Sequence, residues 1–230
     1  MNKITHFDNA DLLTKAAAEY FIKLANEAIR LKGNFTVALS GGNTPADTYK
    51  LLATEDYSKQ IEWKNCYFFW GDERCFPLND TNNNSFNAKL LLLDKVPIPK
   101  KNIFAIPVNE TPKNAAIYYE ATVKIFFKTD KPVFDLIMLG MGDNGHTASL
   151  FPHTTILHEE KALVKEVYVN EIKMDRISFT APLINSAKHI LFLVAGKEKE
   201  SMLKKVLEGD YKPYEYPAQL IKNAEWFISK

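Results

Sequence analysis

Apolar and polar residues follow two rhythms along this chain, and the switch from one to the other recurs. Leu13, Ala17, Tyr20, Phe21, Leu24, Ala28 and Ile29 return at steps of three and four, which predicts an amphipathic helix over 9–31. Asn9 or Asp11 supplies its N-cap and Gly33 its stop. The run 35–39 is short, continuous and apolar, as a buried strand is. It breaks at Ser40-Gly41-Gly42, after which Thr44 as N-cap and Pro45 as first helical residue predict a helix over 45–53. A second strand, 66–70, ends in Gly71-Asp72-Glu73-Arg74; a loop at 82–84 then precedes a helix running through Leu93. Pro97, Pro99 and Pro107 punctuate a stretch with room for a short strand at 103–106, and a helix is predicted over 114–127.

The strongest signal follows. The apolar run 134–139 ends abruptly in Gly140, Gly142 and Gly145, with His146 immediately after. Beyond Pro152, 162–169 alternates like a strand, 176–180 resembles another, and 189–195 is continuously apolar. A helix over 199–207 and a tail, 217–228, with a short helix and a last strand complete the reading. Strands alternating with helices predict an α/β fold with a mostly parallel sheet and helices on both faces. No repeat, low-complexity tract or linker divides the chain, so 1–230 reads as a single domain.

Composition narrows the function. Of 230 residues 46% are hydrophobic and 25% charged, enough for a core without metal or disulfide staples. A net charge of +1 gives no reason to expect a nucleic-acid or membrane partner, although a local basic site for a small anion fits. Cys66 and Cys75 form no C-x-x-C and sit in no His/Cys cluster, which argues against a disulfide framework. Cys66 reads as a core residue; Cys75 is a reactive thiol or an ordinary loop residue. The N-terminal segment has no signal-peptide core and no apolar run reaches the length of a membrane span, so the expectation is a reduced, cytoplasmic protein.

The chemistry gathers at strand ends. Ser40-Gly41-Gly42, Asp72-Glu73-Arg74, the 140–146 loop, Asp175-Arg176 and Gly196-Lys197-Glu198-Lys199 converge on one edge if the sheet is parallel. Backbone donors, two arginines, a lysine and a histidine form a set suited to a phosphorylated small molecule. Each piece has an ordinary alternative: a tight turn for Ser40-Gly41-Gly42, a surface ion-pair cluster for 72–74, a structural histidine for His146. His153 lies close by in sequence and is a lesser candidate for a direct role; His6, His158 and His189 have no supporting neighbours, and Tyr67-Phe68-Phe69-Trp70 fits a buried strand better than a stacking platform. Gly-Met-Gly-Asp-Asn-Gly superficially matches G-x-G-x-x-G, but it follows a late strand with no acidic ribose ligand in place, which argues against a dinucleotide site.

Ser40-Gly41-Gly42, Trp70-Gly71-Asp72-Glu73-Arg74-Cys75 with Asn84, the block 140–152, Arg176-Ile177-Ser178-Phe179-Thr180 with Pro182, and Gly196-Lys197-Glu198-Lys199 together resemble the 6-phosphogluconolactonase family, in the family's order and over nearly the whole chain. The resemblance implies a modified Rossmann-like sheet, no metal, no organic cofactor, and hydrolysis of 6-phospho-D-glucono-1,5-lactone to 6-phosphogluconate in the oxidative pentose phosphate pathway. It makes His146 the general base and gives Arg74, Arg176 and Lys199 the anionic substrate, helped by Ser40, Gly41 and Gly42. Arg74 also suits a polarised carbonyl oxygen. One position departs: the family usually has Asp two residues before the histidine, where this chain has Asn144, with Asp143 beside it to compensate. A glucosamine-6-phosphate deaminase-type enzyme is the nearest rival; its loop usually continues I-A-F-N-E-P rather than Thr147-Ala148-Ser149-Leu150-Phe151-Pro152. A sugar-phosphate sensor is a further alternative, but no helix-turn-helix segment or basic stripe is present to read DNA.

Overall fold

The structure is a computed structural model and describes residues 2–230. Its strands are β1 (Lys3–Phe7), β2 (Phe35–Leu39), β3 (Cys66–Trp70), β4 (Asp72–Arg74), β5 (Leu136–Leu139), β6 (Val164–Val169), β7 (Met174–Phe179), β8 (His189–Ala195) and β9 (Glu225–Ser229). Its helices are α1 (Ala10–Lys32), α2 (Asn43–Leu52), α3 (Glu55–Ser58), α4 (Asn84–Ala88), α5 (Pro112–Phe127), α6 (Ala181–Asn185) and α7 (Glu200–Leu207). Six strands form one all-parallel sheet in the order β1-β9-β8-β5-β2-β3. The order runs outward in opposite directions from β2 and from β5, so the gap between these neighbours is the topological switch point, where the carboxyl ends of an open sheet leave a crevice.

The alternation of elements is as the pattern predicts, with local differences. β1 was not foreseen: it pairs only with β9, and Lys3, Ile4 and His6 are exposed, so its pattern carries little signal of a buried strand. Residues 103–106 form no strand; Ile103 makes a single bridge to Phe68. The helix predicted through Leu93 is α4 followed by a π-helical turn over Lys89–Leu93. Thr44 does not cap α2, which begins two residues before Pro45, at Asn43, with Gly42 at φ 102° as its boundary and no side-chain cap. Asn9 does cap α1, accepting from the Leu12 N–H at 2.9 Å, and Gly33 closes it in the left-handed region.

The larger difference is a second sheet. Asp72-Glu73-Arg74 is a strand rather than a loop, and it joins β7 and β6 in an antiparallel sheet ordered β4-β7-β6. The chain passes from one sheet to the other at Gly71, whose N–H donates to the Leu39 carbonyl and whose carbonyl accepts from Phe179. One continuous core serves both sheets. α1 packs on β1, β2, β8 and β9, while α5 packs on β6 and β7. The Tyr119 hydroxyl of α5 meets the Trp70 N–H and carbonyl at the end of β3, stitching that helix to the parallel sheet. The aromatic strand is core as predicted: Phe68, Phe69 and Trp70 are buried, and Phe69 stacks on Phe104 at 4.6 Å.

At the opposite end of the sheet, buried Asp135 closes the start of β5 onto β2. Its carboxylate accepts from the Thr36 N–H and hydroxyl, both at 2.9 Å, and from Lys32 at 2.8 Å and Lys188 at 3.0 Å. Burial pushes its pKa up, but the bonds from Lys32, Thr36 and Lys188 outweigh this and hold it below the ordinary aspartate value. Its contribution to stability is therefore present above that ordinary value and is lost as pH falls through the lower folded-state value. Asp135→Ala strands a buried N–H and should cost about 2–4 kcal/mol, read as a lower urea midpoint at unchanged slope. An unshifted midpoint would show that the clamp contributes nothing.

Candidate active site

A cleft of about 360 Å³ opens at the switch point. Most of the residues singled out at the strand ends line it, among them Ser40, Gly41 and Gly42 after β2, Arg74 on β4, His146 after β5, Arg176 on β7 and Lys199 after β8; Glu73, Gly145, Asp175, Gly196 and Lys197 do not. Five chain segments far apart in sequence thus meet: β2, β5 and β8 deliver their carboxyl ends to one edge of the parallel sheet, and the antiparallel pair β4 and β7 brings Arg74 and Arg176 to the same edge. Asn144 stands behind the histidine rather than in the lining.

The Ser40-Gly41-Gly42 turn brings the first amides of α2, which have no intrahelical acceptors, to the wall. Gly41 is required by a close approach: a Cβ there would collide with the Asn84 side-chain amide, which is pinned by its bond to the Asp72 carbonyl at 3.1 Å. Ser40 is tied locally, its N–H and carbonyl both bonded to the buried Tyr49 hydroxyl.

Antiparallel pairing sets Arg74 directly opposite Arg176. Like charges in such a pair repel across roughly 5 Å. Burial lowers the Arg176 pKa, Asp72 opposes this at 3.7 Å, and the facing Arg74 adds to the fall. Arg74 donates through Nη1 to the Asn82 carbonyl, and the Nε groups of both arginines are buried with no partner among the described residues. Two opposed guanidiniums with unused donors form a site in want of an anion. Lys199 stands at the rim, paired with Asp143.

The acids of β4 are structural ties. Asp72 is buried and accepts from the Ser149 hydroxyl at 2.6 Å as well as facing Arg176. Glu73 is wholly buried and accepts from the N–H groups of Arg74, Asn84 and Ser85, fastening α4 to β4. Burial pushes its pKa up to about 7 against the pull of those three bonds.

His146 is fixed from several sides. Its ring stacks on Phe151, centroids 3.9 Å apart, and the Arg176 guanidinium lies 5.4 Å from the same Phe151 centroid. Gly142 passes so close to the imidazole that any side chain there would displace it. The ring Nδ1 is 2.6 Å from the Asn144 Oδ1. An amide oxygen only accepts, so Nδ1 carries the hydrogen and Nε2 keeps its lone pair. Asp143 does not take the place of the family's aspartate at this nitrogen, since its carboxylate is engaged with Lys199. Burial is the main cause that lowers the His146 pKa to about 4; Asp72 and Asp143 oppose it, and Arg176 and Lys199 reinforce it. The imidazole is therefore neutral at pH 7 and available as a base.

The remaining candidates fall away. Cys75 is no ready nucleophile: burial pushes its thiol up to about 11. His153 and His158 pack on Tyr214, and His189 on Tyr20, all outside the cleft lining. Among the described residues no group of His, Cys, Asp and Glu is arranged to hold a metal ion, and no helix is long and apolar enough to cross a membrane. Phe151 and Ser149 stood in the 140–152 block without a role of their own; nothing in an apolar residue or a lone serine marks a ring's stacking partner or a carboxylate's.

The glucosamine-6-phosphate isomerase/6-phosphogluconolactonase family model matches residues 8–228. The chain belongs to this family. A 6-phosphogluconolactonase from Synechocystis sp. is 38% identical over 218 residues, covering 93% of this chain and 88% of the relative. Among solved structures, the devB protein superposes with a TM-score of 0.91 at 33% identity, covering all of this chain and 97% of that one. The 6-phosphogluconolactonase from Thermotoga maritima gives a TM-score of 0.85 at 27% identity over the whole of both chains. The family is thus reached from sequence and fold alike.

The electrostatics of the cleft are open to direct measurement. In the free protein the His146 ring should titrate with a midpoint near 4 by NMR, the resonance assigned with His146→Gln. Inorganic phosphate between the arginines favours the imidazolium and should move that midpoint upward. A midpoint near the ordinary histidine value, unmoved by phosphate, would contradict this account of the site.

Proposed function

We propose that the protein is a 6-phosphogluconolactonase, hydrolysing 6-phospho-D-glucono-1,5-lactone to 6-phosphogluconate with His146 as general base. The observation that carries this reading is the presence, in one cleft, of a neutral imidazole with Nε2 unprotonated and an opposed arginine pair with unused donors. The first needs a substrate with a proton to remove; the second needs an anion. A phosphorylated lactone attacked by water meets both demands.

The lactone is an activated ester, so no covalent nucleophile is required. His146 Nε2 takes a proton from water as the water oxygen bonds to C1. The C1 carbonyl electrons move onto its oxygen, where a guanidinium and backbone N–H groups stabilise the charge. Collapse of the tetrahedral intermediate breaks the bond from C1 to the ring oxygen, and the imidazolium returns its proton to that oxygen. The product carboxylic acid then ionises, releasing one proton per turnover. Arg176 shares the Phe151 ring with His146, and Arg74 extends toward the Asn82 carbonyl. On this basis Arg176 serves the reacting end, while Arg74, with Gly41, Gly42 and the start of α2, holds the phosphate. Binding energy gathered at the phosphate orients C1 against the water.

Proton release from freshly generated 6-phosphogluconolactone, measured against spontaneous hydrolysis, tests the reading. His146→Ala should lower kcat by about 10²–10⁴-fold with KM little changed. Arg74→Ala should raise KM by about tenfold or more while sparing kcat. Near-normal turnover of His146→Ala would refute the base, and ammonia release from glucosamine 6-phosphate would transfer the protein to the deaminase class.

A further inference from the structure

Asn144 is a weaker orienting group than an aspartate because its amide can turn over. With Oδ1 toward His146, Nδ1 of the ring must carry the hydrogen; with Nδ2 toward the ring, Nδ1 must accept and Nε2 loses the lone pair that a base requires. Something must hold the amide the right way round. The His146 backbone N–H contributes, donating to Oδ1 at 3.2 Å. The stronger restraint comes from another part of the fold. The Asn144 Nδ2 donates at 2.9 Å to Oε2 of Glu171, a residue of the turn that joins β6 to β7. A carboxylate can only accept, so it selects the amide's donor end and leaves Oδ1 for the imidazole.

We infer that Glu171 is a positioning residue for the hydrolysis: through Asn144 it fixes the His146 tautomer and supplies from a distance the charge that an aspartate at 144 would have carried. The inference rests on His146 being the base. The chain Glu171–Asn144–His146 is assembled from three bonds, none of which joins the carboxylate to the ring itself. Polarised by Glu171, Oδ1 becomes a better acceptor and stabilises the imidazolium that forms in the transition state. The other charges facing the ring are Asp72 of β4, Arg176 of β7, and Lys199 and Asp143 at the rim. Asp143, the nearest acid in sequence, is already held by Lys199, which leaves Glu171 as the carboxylate bonded to Asn144.

Glu171→Ala should lower kcat by roughly tenfold with KM within about twofold, and Glu171→Gln, whose Oε1 still accepts from Nδ2, should recover part of that loss. In an Asn144→Asp background, where the carboxylate cannot present a donor to the ring, Glu171→Ala should cost less than about twofold. Nitrogen-15 shifts of His146 should report the Nδ1–H tautomer in the natural protein and a mixture in Glu171→Ala. Equal losses in both backgrounds would reduce Glu171 to a structural residue, and an unchanged kcat and tautomer in Glu171→Ala would overturn the inference. His146→Ala measured alongside keeps the two ideas apart: turnover surviving in that variant removes the base reading, whereas the tautomer of His146 in Glu171→Ala answers for Glu171 regardless.

Discussion

The site depends on one buried carboxylate. Asp72 begins the second sheet, receives the Ser149 hydroxyl from the loop after β5, and faces Arg176 on β7. The β4–β7 ladder and the bond from the Ser149 N–H to the Ser178 hydroxyl also tie these segments, but Asp72 is the side chain that meets the loop serine and the β7 arginine together. A charge removed from water must be paired and bonded where it sits, and this one is bonded to the elements that carry the histidine and an arginine. Loss of Asp72 would leave Arg176 facing Arg74 unmoderated.

Around that junction the cleft is built against its own charges. Two guanidiniums stand in register, and a histidine is buried until its proton is shed. Neither arrangement favours the empty protein, yet both favour a bound anion. An anion held by the arginines relieves their repulsion, and the same negative charge raises the histidine's affinity for a proton, as the proposed base role requires. The low resting pKa and the opposed arginines are thus two aspects of one electrostatic design, in which the substrate completes the charge balance.

Much of this was legible in the chain. The parallel strands announced themselves as apolar runs cut off by glycine or polar clusters, and the convergence of those clusters follows from parallel topology alone. Gly142 and Gly41 mark close approaches, one under an imidazole and the other under an amide. Other features left no trace. β1 is an exposed edge strand with a weak pattern, and β4 is three charged residues whose strand character comes entirely from pairing with β7. The Thr44 cap failed because Gly42, at positive φ, lets the chain enter the helix earlier than a side-chain cap demands.

Local order along the chain determined the alternating α/β pattern, the strand ends that carry chemistry and the histidine among glycines, because each rests on neighbours within a few residues. Tertiary structure alone decided that Arg74 lies opposite Arg176, that Asp143 serves Lys199 rather than the imidazole, and that Asn144 meets a carboxylate from a turn 27 residues away. Such pairings are made across sheet registers and between loops. They depend on where whole elements come to rest, and no short stretch of sequence encodes that.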